Sequence, residues 1–462
     1  MSSIFSLNNI ISEFKRSFNL SMPLVITEVI YGLSSFIATV MVAHLSKEEL
    51  AANALVWGIY LAIILFFIGI IVAVSIITAQ SYGANDSKGI GICFKQGLII
   101  SIVFALPMML FMRLAPMVLS WTGQDMIIIK LAQPFFYALS WSILTINFLV
   151  LTTSFLSGIN RTKASMFLSM MIIPIEIFFY YAFLFGKFGM PKMGLAGIGY
   201  ALTISNTIVS IVSFSYLYFS TKFKVYHLFT KWWKINKKFL LELLRIGLPM
   251  GAMICIEVSL VAVNAIMMGK LGTTVLAAYQ ISHQYIMIAL VVIFGLTQGV
   301  VVRIGNEVGQ NNRDVLKLVT LVNIGMAFGI MSLFSIFYVI FPELAISIDL
   351  NIKDHNLVSL INIAKSFLSI VAVLVLVEGT RLVIMGALRG LKDTKFSMLV
   401  SILGFWVIAF PGSYLLAFKL KLGGIGILWG FVIGLAVTAL ILWLRFNFLV
   451  KHIDLKALVT RE

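Results

Sequence analysis

Apolar runs of about 20 residues, each long enough to cross a bilayer core as a helix, recur along this chain between short polar or Gly/Pro breaks. Twelve of them begin near residues 17, 52, 90, 131, 164, 195, 242, 275, 316, 360, 396 and 423. Of the 462 residues, 61% are hydrophobic and 11% charged, whereas soluble domains carry about 25% charged residues. A water-soluble fold of this length could not turn so much apolar surface inward. In hydrocarbon every backbone N–H and C=O must be paired within the chain, and runs of this length satisfy them as helices. The expected class is therefore all-α and integral to a membrane.

The formal charge of +16 is compatible with nucleic-acid binding only if the basic residues share a surface. They sit instead in short loops between apolar runs. No nucleic-acid partner is expected; the lipid bilayer is. With the N-terminus cytoplasmic, about 23 of the 34 basic residues fall inside and about 9 outside, the asymmetry that sets topology. The loop KFKVYHLFTKWWKINKK alone supplies Lys222, Lys224, Lys231, Lys234, Lys237 and Lys238. An even number of spans then places both termini in the cytoplasm, with the protein multi-pass in the plasma (inner) membrane. The first 23 residues lack the apolar core and cleavage site of a signal peptide, so the first span is expected to remain. Cys93 and Cys255 have neither metal-ligand nor disulfide spacing.

The chain also repeats itself. Residues 23–89 lie on 249–315 at a constant offset of 226: Pro23 on Pro249, Met41–Leu45 on Met267–Leu271, Leu50-Ala-Ala on Leu276-Ala-Ala, Gly83-Ala-Asn on Gly309-Gln-Asn. At an offset of 232, LSGINRTKASM (156–166) matches LRGLKDTKFSM (388–398) with six identities in eleven. Glycine-bearing polar loops match as well as apolar helices, so composition alone does not explain it. Six helices repeated as six give two parallel, pseudo-symmetric six-helix bundles around a central cavity. The expected division is 1–220, a basic linker at 221–241, and 242–462. Pro23, Pro174, Pro249 and Pro411 mark expected helix irregularities.

MPLVITE (22–28), LPMG (248–251), GKFGMPKMGLAG (186–197), GNEVGQN (305–311) and GALRGLKDTK (386–395), in this order and spacing, resemble the multidrug and toxic compound extrusion (MATE) family. The resemblance spans about residues 20–450. It implies an antiporter that exports amphipathic, often cationic compounds against an inward flow of protons or sodium. A monomer with no resident cofactor is expected, with H+ or Na+ as coupling ion and small amphipathic molecules as substrates.

Four acidic residues fall well within the expected spans: Glu28, Glu176, Glu257 and Glu378. Ionisable groups at membrane depth are costly, generally face a cavity, and can exchange a proton for a cation. The resemblance makes Glu257 the counterpart of an essential carboxylate. Glu378 stands eight residues before Gly386, where the family places an Asp that serves with that carboxylate, and Glu257 and Glu378 would be metal ligands if sodium is the coupling ion. Arg381, three residues after Glu378, can share its helix face, where the family usually has Gln. Ala38 replaces an Asp common in bacterial relatives, leaving Glu28 and Glu176 as the possible titratable pair of the first half. Tyr31, the repeat mate of Glu257, is expected on the cavity wall, where its ring suits organic cations. Gln280, Gln284, His283, Asn264 and Asn147 are further candidate cavity residues, although interhelical hydrogen bonding would explain them equally. Asn206 falls under that plainer reading.

A lipid-linked oligosaccharide flippase of the same superfamily is the main rival, disfavoured by twelve spans and four buried glutamates. A membrane-embedded enzyme is the other. The chain has no HExxH, Gly-x-Ser-x-Gly or GxxxxGK[ST] sequence, so no enzymatic activity is expected.

Overall fold

The computed structural model describes residues 5–42, 46–121, 123–350 and 354–460. Twelve helices among them are long and apolar enough to cross a membrane. We number these α1 (Leu7–Val42), α2 (Lys47–Gly83), α3 (Ser87–Trp121), α4 (Met126–Gly158), α5 (Thr162–Phe185), α6 (Leu195–Phe219), α7 (Lys237–Leu271), α8 (Thr273–Gly309), α9 (Arg313–Ile340), α10 (Val358–Gly390), α11 (Thr394–Lys419) and α12 (Gly423–His452). A short α13 (Leu455–Thr460) follows. The all-α expectation holds. α1, however, starts at Leu7 rather than near residue 17, because Glu13 and Ser17 in its polar first turns are buried and bonded within the fold.

Local chemistry sets several boundaries. Ser46 and Glu49 close a reciprocal capping box at the start of α2, with bonds of 3.2 and 3.1 Å. Asp125 caps α4 by accepting from the Ile127 N–H at 2.8 Å. Pro174 has no N–H to donate to Met170, and α5 is interrupted at Met171. In α11, Pro411 lies between two stretches of wider, i→i+5 bonding at Leu403–Ala409 and Leu415–Lys419.

The repeat is visible in the backbone. Asn85 and Asn311, related by 226, both adopt left-handed φ (56° and 60°); so do Asn160 and Lys392, related by 232 (59° and 62°). Each turn is closed by the same bond from the next residue back to the helix: Asp86 to Ser81, Asn312 to Glu307, Arg161 to Leu156 and Asp393 to Leu388, at 2.8–3.0 Å. The 43–45 part of the repeat falls outside the described residues.

Contacts divide the chain at places other than 220 and 242. One compact unit is Ile26–Gly251; the other joins the residues up to Val25 to Ala252–Thr460. The two boundaries, 25/26 and 251/252, are themselves related by the 226 offset, and each follows a proline by two residues. The physical reason is a pair of close backbone approaches. A Cβ on Gly69 would stand 2.6 Å from Gly251 Cα, and one on Gly295 would stand 2.3 Å from Val25 Cα. Only glycine lets the helices meet there, so α7 up to Gly251 packs with α2, and α1 up to Val25 packs with α8. In the first unit an aromatic core gathers Tyr60, Phe135, Phe136, Tyr180 and Phe183. In the second, Gly426, Gly430 and Gly434 line the face of α12 against α11.

Alanine at Gly69 or Gly295 is expected to cost about 1–3 kcal/mol through overpacking and to lower the melting temperature in detergent. Gly58→Ala, which meets nothing within 4 Å, is the control and should not. Equal melting of all three variants would contradict the close-approach account.

Candidate functional site

Three of the expected residues meet in one cluster. Arg381 donates from Nε and Nη2 to the two oxygens of Glu378, each at 2.7 Å, using the i,i+3 spacing on α10. Its Nη1 donates to Glu257 Oε1, on α7, at 2.9 Å. The guanidinium has no exposed surface and lies 5.2 Å from the centre of the Phe405 ring. Glu378 is nearly closed off, but the Glu257 side chain keeps 23% exposure. These bonds set two carboxylates against one guanidinium, Glu257 is the more exposed of the two, and the half-buried Arg389, in the last turn of α10, adds a positive charge that acts on Glu257.

In the first unit, Glu176 accepts a hydrogen bond from Ser34 on α1. Tyr31 Oη and Ser169 Oγ are 3.2 Å apart, and Tyr31 packs with Ile175 on Leu149, Ile172 and Val209. Glu28, half-buried one turn before Tyr31, and Glu176 both act electrostatically on that tyrosine. Tyr60 and Tyr180 border the same cluster, with Tyr60 bonded to Ser142 at 3.0 Å. Glu28, Tyr31, Ser34 and Glu176 therefore form a polar group that contains no arginine or lysine partner among the described residues.

The other polar positions scatter. Asn147 is buried and donates to the Ser101 carbonyl at 3.4 Å, an interhelical bond of the plain kind. Asn206 and Asn264 are buried, the latter with both amide atoms unbonded to protein. His283 is half-buried against the Tyr279 ring, 5.9 Å between centres. Gln280 is exposed. Gln284, expected with Gln280 on a cavity face, is also exposed and lies 3.4 Å from Asp349 in the loop after α9. That loop is held by Tyr285, whose hydroxyl reaches the Ala345 carbonyl at 2.6 Å and Asp349 at 3.0 Å.

A second arginine cluster lies toward the ends of α1 and α8, apart from the four acidic residues expected well within the spans. Arg303 is buried in α8 and bonds Glu13 of α1 through Nε (2.8 Å) and Nη2 (2.7 Å). Its Nη1 bonds Glu307. Ser17 donates to Glu13 at 3.0 Å, Asn323 of α9 donates to Ser17 at 2.9 Å, and Asn312 donates to Glu307 at 2.9 Å. The bonding pattern is that of Arg381: one carboxylate on Nε and Nη2, the other on Nη1.

Comparison with known proteins assigns the scaffold. The MatE family model matches residues 23–182 and 249–415. The chain belongs to the MatE family. The Probable multidrug resistance protein NorM of Pseudomonas putida is 30% identical over 461 residues, covering 98% of each chain. The protein of the same description from Agrobacterium fabrum is 30% identical over 441 residues, covering 96% of this chain and 95% of its own. Among solved structures, an outward-facing multidrug resistance MATE transporter of the MOP superfamily matches with TM-score 0.86 at 20% identity, covering 95% of this chain and 96% of its own. A MATE crystal structure in the straight conformation gives the same values. This MatE chain is thus a multi-pass membrane protein and a multidrug efflux transporter. The two matched segments are the two halves of the repeat. They contain Glu28, Glu176, Glu257, Arg303, Glu307, Glu378 and Arg381, but Glu13 precedes them. The signal that could have found the second cluster is the i,i+4 spacing of Arg303–Glu307 and of Glu13–Ser17.

Removing Arg303 alone leaves two buried carboxylates together. Arg303→Met is expected to destabilise the protein by about 3–5 kcal/mol, and replacing Glu13, Arg303 and Glu307 together by Met, Leu and Leu should recover most of that loss. Melting temperatures in one detergent compare the two; a triple variant as unstable as the single one would show that the loss is packing rather than charge.

Proposed function

We propose that this chain exports amphipathic, often cationic compounds by alternating access, in exchange for protons entering the cell, with both termini cytoplasmic. The observation that carries the choice of ion is the engagement of Arg381 by three of the four oxygens of Glu257 and Glu378. A sodium ion needs oxygen ligands that are free of a competing cation, and here the guanidinium already stands among them. Arginine does not release its proton. The group left to take one up is Glu257, which is the more exposed carboxylate. Protonation of Glu257 removes one of the two charges that hold Arg381, leaving the bidentate pair with Glu378 intact. A cationic substrate then competes with the proton for the same excess negative charge.

The Glu28–Glu176 group of the first unit, with Tyr31 between its carboxylates, supplies a second place for a proton. Its lack of a fixed cation suits direct attraction of organic cations, and the Tyr31 ring adds cation–π attraction. Asn264, His283 and Gln280 on α7 and α8 are assigned to substrate contact, Asn147 on α4 to the interhelical bond it makes, and Gln284 to the outer loop. The orientation rests on the lysines of the 221–241 linker and the positive-inside rule. The protein is taken to act as a monomer with no resident cofactor.

In sealed vesicles, an imposed proton gradient should drive efflux of a fluorescent organic cation, and a sodium gradient without a proton gradient should not. Glu257→Gln should lose most of the proton-driven rate while keeping its melting temperature. Full-rate transport by the sodium gradient, or an unchanged rate in Glu257→Gln, would falsify the assignment.

A further inference from the structure

The segment between α6 and α7 is a built surface rather than a slack tether. Thr221–Tyr226 forms a short 3₁₀ helix, and turns follow at His227 and Lys231, both with left-handed φ near 48–49°. One side of the segment is sealed against the ends of α3, α4 and α6. Phe223 is buried, with its ring 5.3 Å from Tyr216 and 6.4 Å from Phe155. Phe229 meets Phe94 and Phe214 at 6.1 and 6.0 Å. The buried Gln96 side chain clamps the end of the segment, donating to the Lys234 carbonyl and accepting from the Asn236 N–H, each at 3.1 Å. The Tyr226 carbonyl occupies the space a side chain at residue 91 would need, which glycine leaves open.

The other side is left bare, and its composition is unusual for bare surface. Val225, Trp233 and Ile235 are 56%, 66% and 57% exposed, with Trp232 beside them at 38%. Lys222, Lys224, Lys231, Lys234, Lys237 and Lys238 are all exposed among them. No Asp or Glu occurs in residues 220–241. Arg161 is close enough to influence Tyr226, and Lys88 and Lys163 are exposed at neighbouring helix ends of the same unit. α6 ends at Phe219 and α7 begins at Lys237, so this face lies where two crossing helices leave the bilayer.

We propose that this face binds anionic phospholipid headgroups, the lysines meeting the phosphates and Trp232, Trp233, Val225 and Ile235 entering the boundary between headgroups and acyl chains. Lysine clusters next to crossing helices attract anionic lipid, and tryptophan settles at that boundary because its ring is apolar and its N–H polar. An acidic protein partner would match the lysines but not the apolar side chains interspersed with them. The leaflet follows from the orientation proposed above; lipid binding itself does not depend on the transport reading.

The test uses the full-length protein in nanodiscs, with no gradient applied. Trp232 and Trp233 fluorescence is taken as the difference between wild type and Trp232→Phe/Trp233→Phe, with brominated phosphatidylglycerol or brominated phosphatidylcholine as quencher. The expected result is severalfold stronger quenching by phosphatidylglycerol. That preference should disappear when all six linker lysines are replaced by Gln, a change confined to exposed side chains, and should fall at high salt. Equal quenching by the two lipids overturns the proposal. So does stronger reversal by inorganic phosphate than by chloride at matched ionic strength, which would indicate a free-phosphate site. Quenching that vanishes on adding a soluble acidic peptide at matched ionic strength would assign the face to a protein instead.

Discussion

A guanidinium with no exposed surface must be neutralised where it stands, because moving an ion out of water costs several kcal/mol even after relaxation. Arg381 is in that position. Its fixed charge is met by both oxygens of Glu378, and a second carboxylate, Glu257, takes the remaining donor edge. The consequence is a knot between α10 and α7 made wholly of charged bonds. The second carboxylate, Glu257, retains some exposure, so the knot is fully closed on its Arg381 side only. The proposed proton coupling rests on this arrangement, in which two carboxylates meet one guanidinium.

Arg303 repeats the solution at another place in the same unit, with Glu13 and Glu307 as its carboxylates. In both clusters one carboxylate spans Nε and Nη2 while the second takes Nη1, and in both an element from the start of a repeat is joined to a later helix. α1 contributes Glu13 and α7 contributes Glu257. The clusters differ in what surrounds them. Ser17, Asn312 and Asn323 complete the hydrogen bonding around Glu13 and Glu307, so that cluster is satisfied on nearly every side. Among the described residues Glu257 accepts no side-chain hydrogen bond besides that from Arg381, and on the proposed reading this makes the Arg381 cluster the more suitable of the two for proton exchange.

Much of the scaffold was legible in the sequence because the membrane imposes few choices. Twelve apolar runs became twelve helices, and the 226 and 232 offsets reappeared as matched left-handed turns at Asn85 and Asn311, and at Asn160 and Lys392. Hydropathy failed at the ends of helices. The LNNIISEFKRSFN segment reads as polar, yet it forms the first turns of α1 because its buried members, Glu13 and Ser17, find partners far away in sequence. Close helix approaches were not legible for a related reason: no pattern along one helix reveals that Gly69 meets Gly251 or that Gly295 meets Val25. Those contacts are properties of pairs, and only the repeat offset, applied to both partners of a contact, would have tied one to the other. At the site, the i,i+3 spacing announced the Glu378–Arg381 pair, but nothing local announced that Glu257 would take the third donor.

The two halves descend from one pattern and yet carry different electrostatics, and the difference can be traced to single positions. Tyr31 occupies in α1 the place Glu257 occupies in α7. Its neighbours Glu28 and Glu176 have only neutral hydroxyl groups for company among the described residues, from Ser34, Ser169 and Tyr31 itself. A carboxylate pair without a cation can stay in an apolar unit only by holding protons or by attracting a mobile positive charge. A carboxylate pair with Arg381 between them is already half neutralised by that one guanidinium. On the proposed reading, the first unit is the better place to attract an organic cation and the second the better place to register a single proton. The electrostatic difference between the two halves of the repeat comes down to whether an arginine stands among the acids.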